Sequence, residues 1–170
     1  MTPVRSVQCA VSPQPVHALR SDQVIDMEFN ICADTRRLFH ALTVPEYMET
    51  WLCLPGHHLG CSTAAARNRD HYYLEHDCGD RSAVFITGTY EVCRRHNVLF
   101  SWRVDGYLTV PETKVDIRLN GNFEKTTLKL RHSGFTGSPD YAWHRALWTA
   151  SIGRLSRLYE PSDSLDSARL

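Results

Sequence analysis

Residues 114–132, KVDIRLNGNFEKTTLKLRH, decide the fold of this chain. Apolar side chains alternate with charged ones from Val115 to Leu119, and the same period of two returns at Leu128 and Leu130. Asn120-Gly121-Asn122 lies between the two runs and is typical of a tight turn. Alternation at period two predicts strands with one face in the core and one in water, as in an antiparallel sheet.

The same alternation extends the sheet toward the N-terminus. Residues 98–104 place Val, Phe, Trp and Val on one face, and residues 25–31 place Ile, Met, Phe and Ile on one face. Turns are expected at Cys78-Gly79-Asp80 and at Arg95-His96-Asn97. Residues 59–133 therefore form consecutive strands, although the register of the strands within 59–77 stays open.

Two short helices are expected directly after the first strand. Asp34 can cap the first helix. Thr43 and Glu46 have the spacing of a capping box for the second helix, which runs through Trp51 with Pro45 in its first turn. Both helices are too short to be stable alone, so they must pack against the sheet.

A long helix is expected at the C-terminal end of the chain. Ser138 can cap it, Pro139 and Asp140 fall in its first turn, and the pattern continues to about Tyr159. At about 100° per residue, one apolar arc runs along its length. The helix should therefore lie across the concave side of the sheet, with this arc inward: Tyr141, Trp148, Ile152, Leu155 and Tyr159.

These elements predict a single α+β domain, in which a curved antiparallel sheet wraps around the C-terminal helix. Residues 1–21 contain three prolines and little periodicity, so we expect a flexible N-terminal arm there. Residues 161–170 follow the last helix and are expected to form a flexible tail. The folded domain should therefore span residues 22–160.

The overall composition argues against several classes of partner. Nineteen basic and nineteen acidic residues give a net charge of zero, which does not favour nucleic acid or an anionic membrane. No apolar run has the roughly 18 residues of a membrane span, and the N-terminus is a poor signal peptide. A cytoplasmic protein without stable membrane insertion is expected. Its six scattered cysteines favour free buried thiols over disulfides.

Three polar residues fall on faces that should be buried. His132 lies in phase with Leu128 and Leu130, while His144 and Ser151 lie within the apolar arc of the last helix. Buried polar groups need hydrogen-bond partners or water. One interpretation is a cavity that holds water or the polar end of a ligand; the other is that these are satisfied core residues.

Aromatic residues at inward positions favour an apolar pocket over a merely well-packed core. A sheet curled around one helix leaves a concavity that a small apolar molecule can occupy, with a few polar anchors. The expected ligand-binding residues are Trp51, Tyr90, Phe100, Trp102, Ile117, Leu128, Leu130, His132, His144, Trp148 and Ser151.

Signatures of catalysis, metal binding or a cofactor are weak. The sequence has no dinucleotide, phosphate-loop, nucleophile-elbow or zinc-protease motif, so no catalytic residue and no cofactor are expected. Histidines are densest at 57–58, His71 and His76. Because five residues separate His71 from His76, one strand would turn them to opposite faces, and no metal site is expected.

Three segments carry a resemblance to a known family. ICADTRRLFHALTVPEYMETW (31–51), GTYEVCRRHNVLFSWR (88–103) and TTLKLRHSGF (126–135) resemble the opening, the central hairpin and the C-terminal end of one branch of the SRPBCC superfamily. This is the superfamily of START and birch-pollen-allergen-like proteins, and the branch is related to activators of the heat-shock-protein-ninety ATPase. The resemblance covers residues 24–159 and implies the helix-grip fold, a seven-stranded sheet around the last helix with a cavity between them.

Three functions are compatible with this resemblance. The first is binding of a small hydrophobic molecule, such as a lipid, a polyketide or an aromatic-like compound, in the cavity. The second is an enzyme of the cyclase, aromatase or hydrolase kind that uses His132 or His144 as an acid or base. The third is an interaction module that regulates a chaperone, although no sequence feature marks such an interface. A homodimer is left open as well.

Overall fold

The computed structural model describes residues 23–53, 58–64, 69–77, 83–105 and 112–161. Ten elements follow one another in the order strand, two helices, six strands, helix. They are β1 (Gln23–Ile31), α1 (Thr35–Thr43), α2 (Pro45–Trp51), β2 (His58–Ala64), β3 (His71–Asp77), β4 (Ala83–Arg94), β5 (Asn97–Asp105), β6 (Thr113–Gly121), β7 (Thr126–Phe135) and α3 (Ser138–Arg157).

The seven strands form one curved antiparallel sheet in the order β1-β7-β6-β5-β4-β3-β2. The strands from β2 to β7 each pair with the next in sequence, as expected for turns and hairpins. The first strand instead joins β7 at the far edge, because α1 and α2 carry the chain across to β2. This α+β architecture is the helix-grip fold that the sequence predicts.

The residues that alternate in the sequence lie on the two opposite faces of the sheet. On β7, Thr126, Leu128, Leu130 and His132 are all fully buried, whereas Lys129 and Arg131 are exposed. The charged face carries cross-strand ion pairs, such as Lys129–Glu28 and Arg131–Asp26, each at 3.0 Å. Exposed pairs of this kind contribute at most about 1 kcal/mol each, so the buried face dominates stability.

The register that the sequence left open is regular along most of β2 and β3. Ala64 pairs with Tyr72 and Cys61 with Glu75, and a shift lies between Leu59 and Cys61. On β3, His71 is exposed and His76 is fully buried, so the two histidines do lie on opposite faces. The period of two carries His76 inward together with Leu74.

The first helix begins as predicted, and the second does not. The Asp34 side chain accepts a hydrogen bond from the Arg37 backbone N–H at 2.8 Å and caps α1. The capping box for α2 is wrong: Thr43 donates to the Phe39 carbonyl at 2.6 Å instead, because it still belongs to the last turn of α1. Val44 occupies the cap of α2 without a side-chain bond, and Pro45 follows in the first turn.

The last helix begins one residue earlier than its predicted cap implies. Gly137 occupies the cap position, and Ser138 is the first helical residue. Trp148, Ile152 and Leu155 are fully buried against the sheet, while Tyr141 and Tyr159 at the two ends of the arc are only half-buried. The apolar arc therefore faces the core, as the periodicity predicts.

Several sequence-based expectations lie outside the described residues. These are the N-terminal arm at 1–21, the turn at 78–80 and most of the tail at 161–170. Cys53 is a half-buried free thiol and Cys93 is half-buried, whereas Cys32 is a free thiol exposed to solvent rather than buried. The exposure of Cys32 follows from its place beyond Ile31, where β1 ends.

Candidate functional site

A small cavity lies where α2 and α3 meet the sheet. Its volume is about 10 Å³, which is close to the space that one water molecule needs. Large aromatic and aliphatic side chains fill most of the concavity, so the expected ligand-sized void is absent from the described part of the interior. The wall is formed by Leu42, Met48, Trp51, Leu52, Tyr72, Tyr90, Phe100, Trp102, Ile117 and Trp148.

A buried hydrogen-bond network adjoins this cavity, and we call it the Trp–His network. It consists of Trp102, Thr113, His132, His144 and Trp148. Trp148 donates its indole N–H to His132 Nδ1 at 2.9 Å, and Trp102 donates its indole N–H to His144 Nε2 at 3.1 Å. The two imidazole rings meet edge to face, with their centroids 4.9 Å apart. Each histidine therefore serves as the acceptor for one tryptophan.

The donors fix the tautomer of both histidines. Because His132 Nδ1 accepts from Trp148, its proton lies on Nε2 and is donated to Thr113 Oγ1 at 2.7 Å. The Thr113 hydroxyl in turn donates a hydrogen bond to the Trp102 carbonyl at 2.9 Å. The proton of His144 lies on Nδ1 and is donated to the Asp140 carbonyl at 2.7 Å. All four imidazole nitrogens are engaged, and both rings are neutral.

Burial lowers the pKa of both histidines. For His132, loss of hydration and then the neighbouring His144 hold the pKa well below the usual value of 6.5. For His144, burial is again the main cause, and the bond to the Asp140 carbonyl acts in the opposite direction. In this arrangement, neither imidazole has a nitrogen free to exchange a proton with a substrate.

The third predicted polar residue is also satisfied by the protein. Ser151 donates to the Cys53 carbonyl at 3.2 Å. Arg154, one turn further along α3, donates its Nε–H to the Trp51 carbonyl at 3.0 Å. The two bonds connect α3 to the end of α2, and no water or ligand is needed to explain the burial of Ser151.

The structure brings some, but not all, of the predicted site residues together. Six line the cavity: Trp51, Tyr90, Phe100, Trp102, Ile117 and Trp148. His132 and His144 lie beside it in the Trp–His network, and Ser151 lies at the junction of α2 and α3. Leu128 and Leu130 are fully buried in the core, outside the described wall of the cavity.

Several residues of the site could not be predicted from the sequence patterns above. Thr113 lies two positions before Val115, so extending the period of two backward would have placed it inward. Tyr72 was missed because the register of β3 was open; its hydroxyl donates to the Ser101 carbonyl at 2.6 Å. Leu42, Met48 and Leu52 carry no signal beyond apolarity, because only the docking of α1 and α2 brings them to the cavity.

Two further findings concern metal binding and membrane crossing by the described residues. No three or more of their His, Cys, Asp and Glu side chains lie close enough together to hold a metal ion. None of the described helices is long and apolar enough to cross a membrane.

An antiparallel sheet wrapped around a C-terminal helix, with two short helices after the first strand, defines the helix-grip class of the SRPBCC superfamily. The family described as "Activator of Hsp90 ATPase homolog 1-like protein" matches residues 33–160 of the chain. The protein belongs to this family. This confirms the resemblance found in the sequence.

Solved structures agree with this assignment. Protein CV1439 from Chromobacterium violaceum has a TM-score of 0.71 and 20% identity, and the match covers 81% of this chain and 97% of that one. For the AHSA1-like protein from Aeromonas hydrophila the TM-score is 0.64 at 17% identity, with 79% and 90% covered. DynU16, from the dynemicin biosynthetic locus, has a TM-score of 0.61 and 25% identity, with 80% of this chain and 46% of that chain covered. No curated protein sequence matches the chain.

Proposed function

We propose that the protein binds a small hydrophobic ligand, of lipid, polyketide or aromatic-like kind, at the cavity between the sheet, α2 and α3. The observation that carries the proposal is the Tyr90 hydroxyl. Tyr90 is 1% exposed and lines the cavity, yet its hydroxyl has no hydrogen-bond partner among the described residues. A hydroxyl at an apolar cavity gains a hydrogen bond when the polar atom of a ligand lies against it.

The other wall side chains that carry nitrogen or oxygen are already satisfied. Trp51 donates to the Ala41 carbonyl at 2.8 Å, and Tyr72 is bonded to Ser101. Trp102 and Trp148 donate to the two histidines. The wall thus offers a ligand one polar contact within a largely aromatic surface, which suits an apolar molecule with a single polar group.

Ligand binding requires this wall to move. A site for a drug-sized molecule occupies at least about 300 Å³, far more than the resting cavity. The seven-residue α2 is the element best suited to move, since so short a helix depends on its packing. Met48 and Trp51 project from it into the wall. The cost of moving α2 would lower the observed affinity below that of a preformed site.

The comparisons support the class of ligand rather than its identity. The family fold is compatible with ligand binding, and the relative DynU16 belongs to a natural-product biosynthetic locus. The core of the present protein would hold an apolar biosynthetic intermediate. Holding such a molecule requires no acid–base catalysis. The two histidines, whose ring nitrogens are all engaged, therefore need not act as an acid or a base.

The test uses three probes: 8-anilinonaphthalene-1-sulfonate, oleic acid and the anthraquinone emodin. Three of the four tryptophans line the cavity, so a bound probe should quench intrinsic fluorescence and raise the melting temperature. Tyr90→Phe should weaken binding of the preferred probe about tenfold, which corresponds to one lost hydrogen bond. Tyr141→Phe, on the rim of the core, is the matched control and should leave the affinity unchanged.

Two results would count against this proposal. If no probe alters either the fluorescence or the melting temperature, the core is a packed interior and not a binding site. If a probe binds equally well to the wild type and Tyr90→Phe, the hydroxyl is not the anchor.

A chaperone partner is the second candidate function, because the family takes its description from an activator of the Hsp90 ATPase. The ATPase rate of purified Hsp90 would be measured with and without this protein. A rate that rises with protein concentration supports the candidate, and an unchanged rate together with no co-precipitation removes it.

A further inference from the structure

An open groove lies at the end of the molecule where α1 begins, away from the Trp–His network. Its volume is about 460 Å³. Its walls come from the start of α1, from the turn between β4 and β5, and from the turn between β6 and β7. Arg36, Arg95 and Phe123 are its most distinctive residues.

Phe123 is the most exposed large apolar side chain in the described part of the chain, at 94%. Its turn is held firmly: Asn122 Oδ1 accepts hydrogen bonds from the backbone N–H groups of Glu124 and Lys125, at 2.9 and 3.0 Å. Gly121 packs tightly against the backbone of Lys125 and Thr126, so that an added Cβ would overlap them. The phenyl ring is therefore presented to solvent on a fixed support, as a preorganised contact.

Two guanidinium groups line the same groove as this ring. Arg36 and Arg95 are both exposed, and neither forms an ion pair with any described residue. On the outer face of the sheet, by contrast, Lys114, Lys129 and Arg131 each have an acidic partner. Asp34, the acidic residue of the described groove, already accepts the capping bond at the start of α1. The groove therefore offers positive charge that no described acidic residue neutralises.

We propose that this groove binds an acidic peptide segment that carries an apolar side chain. Arginine and aromatic residues are enriched among the residues that dominate protein–protein binding energy. An extended peptide can place carboxylates against Arg36 and Arg95 while its apolar side chain covers Phe123. A small anion would leave the phenyl ring of Phe123, which is 94% exposed, uncovered. This interaction is separate from ligand binding in the core.

The test measures the fluorescence anisotropy of a labelled peptide, Glu-Glu-Leu-Glu-Glu-Leu-Glu, with the full chain. An analogue with every Glu replaced by Gln serves as the neutral control. We expect saturable binding of the acidic peptide that weakens as salt is raised, and at least tenfold weaker binding of the neutral analogue. Arg36→Glu and Arg95→Glu should each lower the affinity about tenfold or more, and Phe123→Ser about tenfold.

Arg145→Glu is the matched control, because it makes the same change of charge at an exposed position of α3 outside the groove. Far-ultraviolet circular dichroism verifies that every variant is folded. A second readout needs no variant: the peptide should shift the backbone amide resonances of Arg36, Arg95 and residues 121–124, and leave those around Tyr90 unchanged.

Four results would overturn the proposal. They are no binding of the acidic peptide, equal binding of the neutral analogue, an equal loss of affinity in Arg145→Glu, and full affinity in Phe123→Ser. Tighter binding of a twelve-nucleotide RNA than of the peptide would assign the groove to a polyanion instead. Because the core probes are measured separately, failure here would leave the result for Tyr90 unaffected.

Discussion

The buried histidines are the residues on which the core depends most closely. Each accepts a hydrogen bond from one tryptophan and donates one to the chain, so each must stay neutral with its proton on one particular nitrogen. Protonation would place an N–H opposite the indole N–H of Trp148 or Trp102. The network therefore resists protonation, which agrees with the lowered pKa of both rings.

Stability should fall in mild acid because of these two residues. Their folded-state pKa values lie below about 6.5, the value in the unfolded chain, so the unfolded state binds protons first as the pH falls. Their contribution is complete above pH 6.5. Below it, the contribution decreases by about 1.4 kcal/mol per pH unit for each histidine, until the folded-state pKa is reached.

Urea unfolding at pH 7.0 and 5.5 measures this loss. The double variant His132→Gln, His144→Gln should be less stable at pH 7.0 but lose much less stability between the two values. His40→Gln, at an exposed position, is the control and should behave like the wild type. An equal pH dependence in the double variant would contradict the assignment.

Thr113 deserves its own test because its hydroxyl joins His132 to the backbone of Trp102. In Thr113→Val the buried Nε2–H of His132 has no acceptor, and the free energy of unfolding should fall by about 1–3 kcal/mol. Thr113→Ser retains the hydroxyl and should cost clearly less. Denaturant titration of both variants makes the comparison, and equal losses would show that the methyl group matters rather than the hydrogen bonds.

At the scale of elements, the pairing of β3, β4 and β5 depends on a close approach at Gly88. A Cβ built at this position would overlap the Ser101 carbonyl oxygen and lie 2.6 Å from the Tyr72 hydroxyl. Tyr72 bonds to that same carbonyl, so its ring crosses β4 directly over the glycine. The absence of a side chain at Gly88 is what lets Tyr72 reach the cavity wall.

Gly88→Ala should therefore destabilise the protein by at least about 2 kcal/mol, because backbone and ring must both shift. Gly153→Ala makes the same chemical change on α3, where the nearest atom, Arg157 Nη1, is 3.8 Å away and can move. That variant should be stabilised by up to about 1 kcal/mol, since Ala favours a helix. Thermal unfolding of both variants compares them, and a loss of stability in Gly153→Ala as large as in Gly88→Ala would refute this account.

At the scale of the whole molecule, the junction of α2 with α3 determines how easily α2 can move. The proposed ligand binding requires this movement. Arg154 reaches from α3 to the Trp51 carbonyl and to Ser151 Oγ, at 3.0 and 3.4 Å. These bonds fasten the end of α2, which supplies part of the cavity wall. Removing the Arg154 hydrogen bonds should make the proposed movement of α2 easier.

Arg154→Met should lower the free energy of unfolding by about 1–3 kcal/mol, the range for lost bonds to a charged group. It should also increase amide hydrogen exchange across residues 45–52 and speed the association of 8-anilinonaphthalene-1-sulfonate. Arg157→Met, one turn further and exposed, is the control. Unchanged exchange at 45–52 in Arg154→Met would show that this bond does not hold α2.

Much of the fold followed from the sequence alone. The period of two in β5, β6 and β7 and the apolar arc of α3 determined strands, faces and helix, because burial of one face imposes these periods on any chain. The same patterns placed His132 and His144 inward. The hydrogen bonds at the start of α2 were not predictable, since the Thr43 hydroxyl donates to the Phe39 carbonyl within α1 instead of accepting from a backbone N–H of α2.

Only the tertiary structure decided how full the concavity is and which polar groups are satisfied. An inward histidine has the same sequence pattern whether it contacts a ligand or a tryptophan. The difference depends on distances between strands and helix that no local pattern contains. The structure pairs His132 with Trp148 and His144 with Trp102, and it leaves the Tyr90 hydroxyl as the unpartnered group of the described cavity wall.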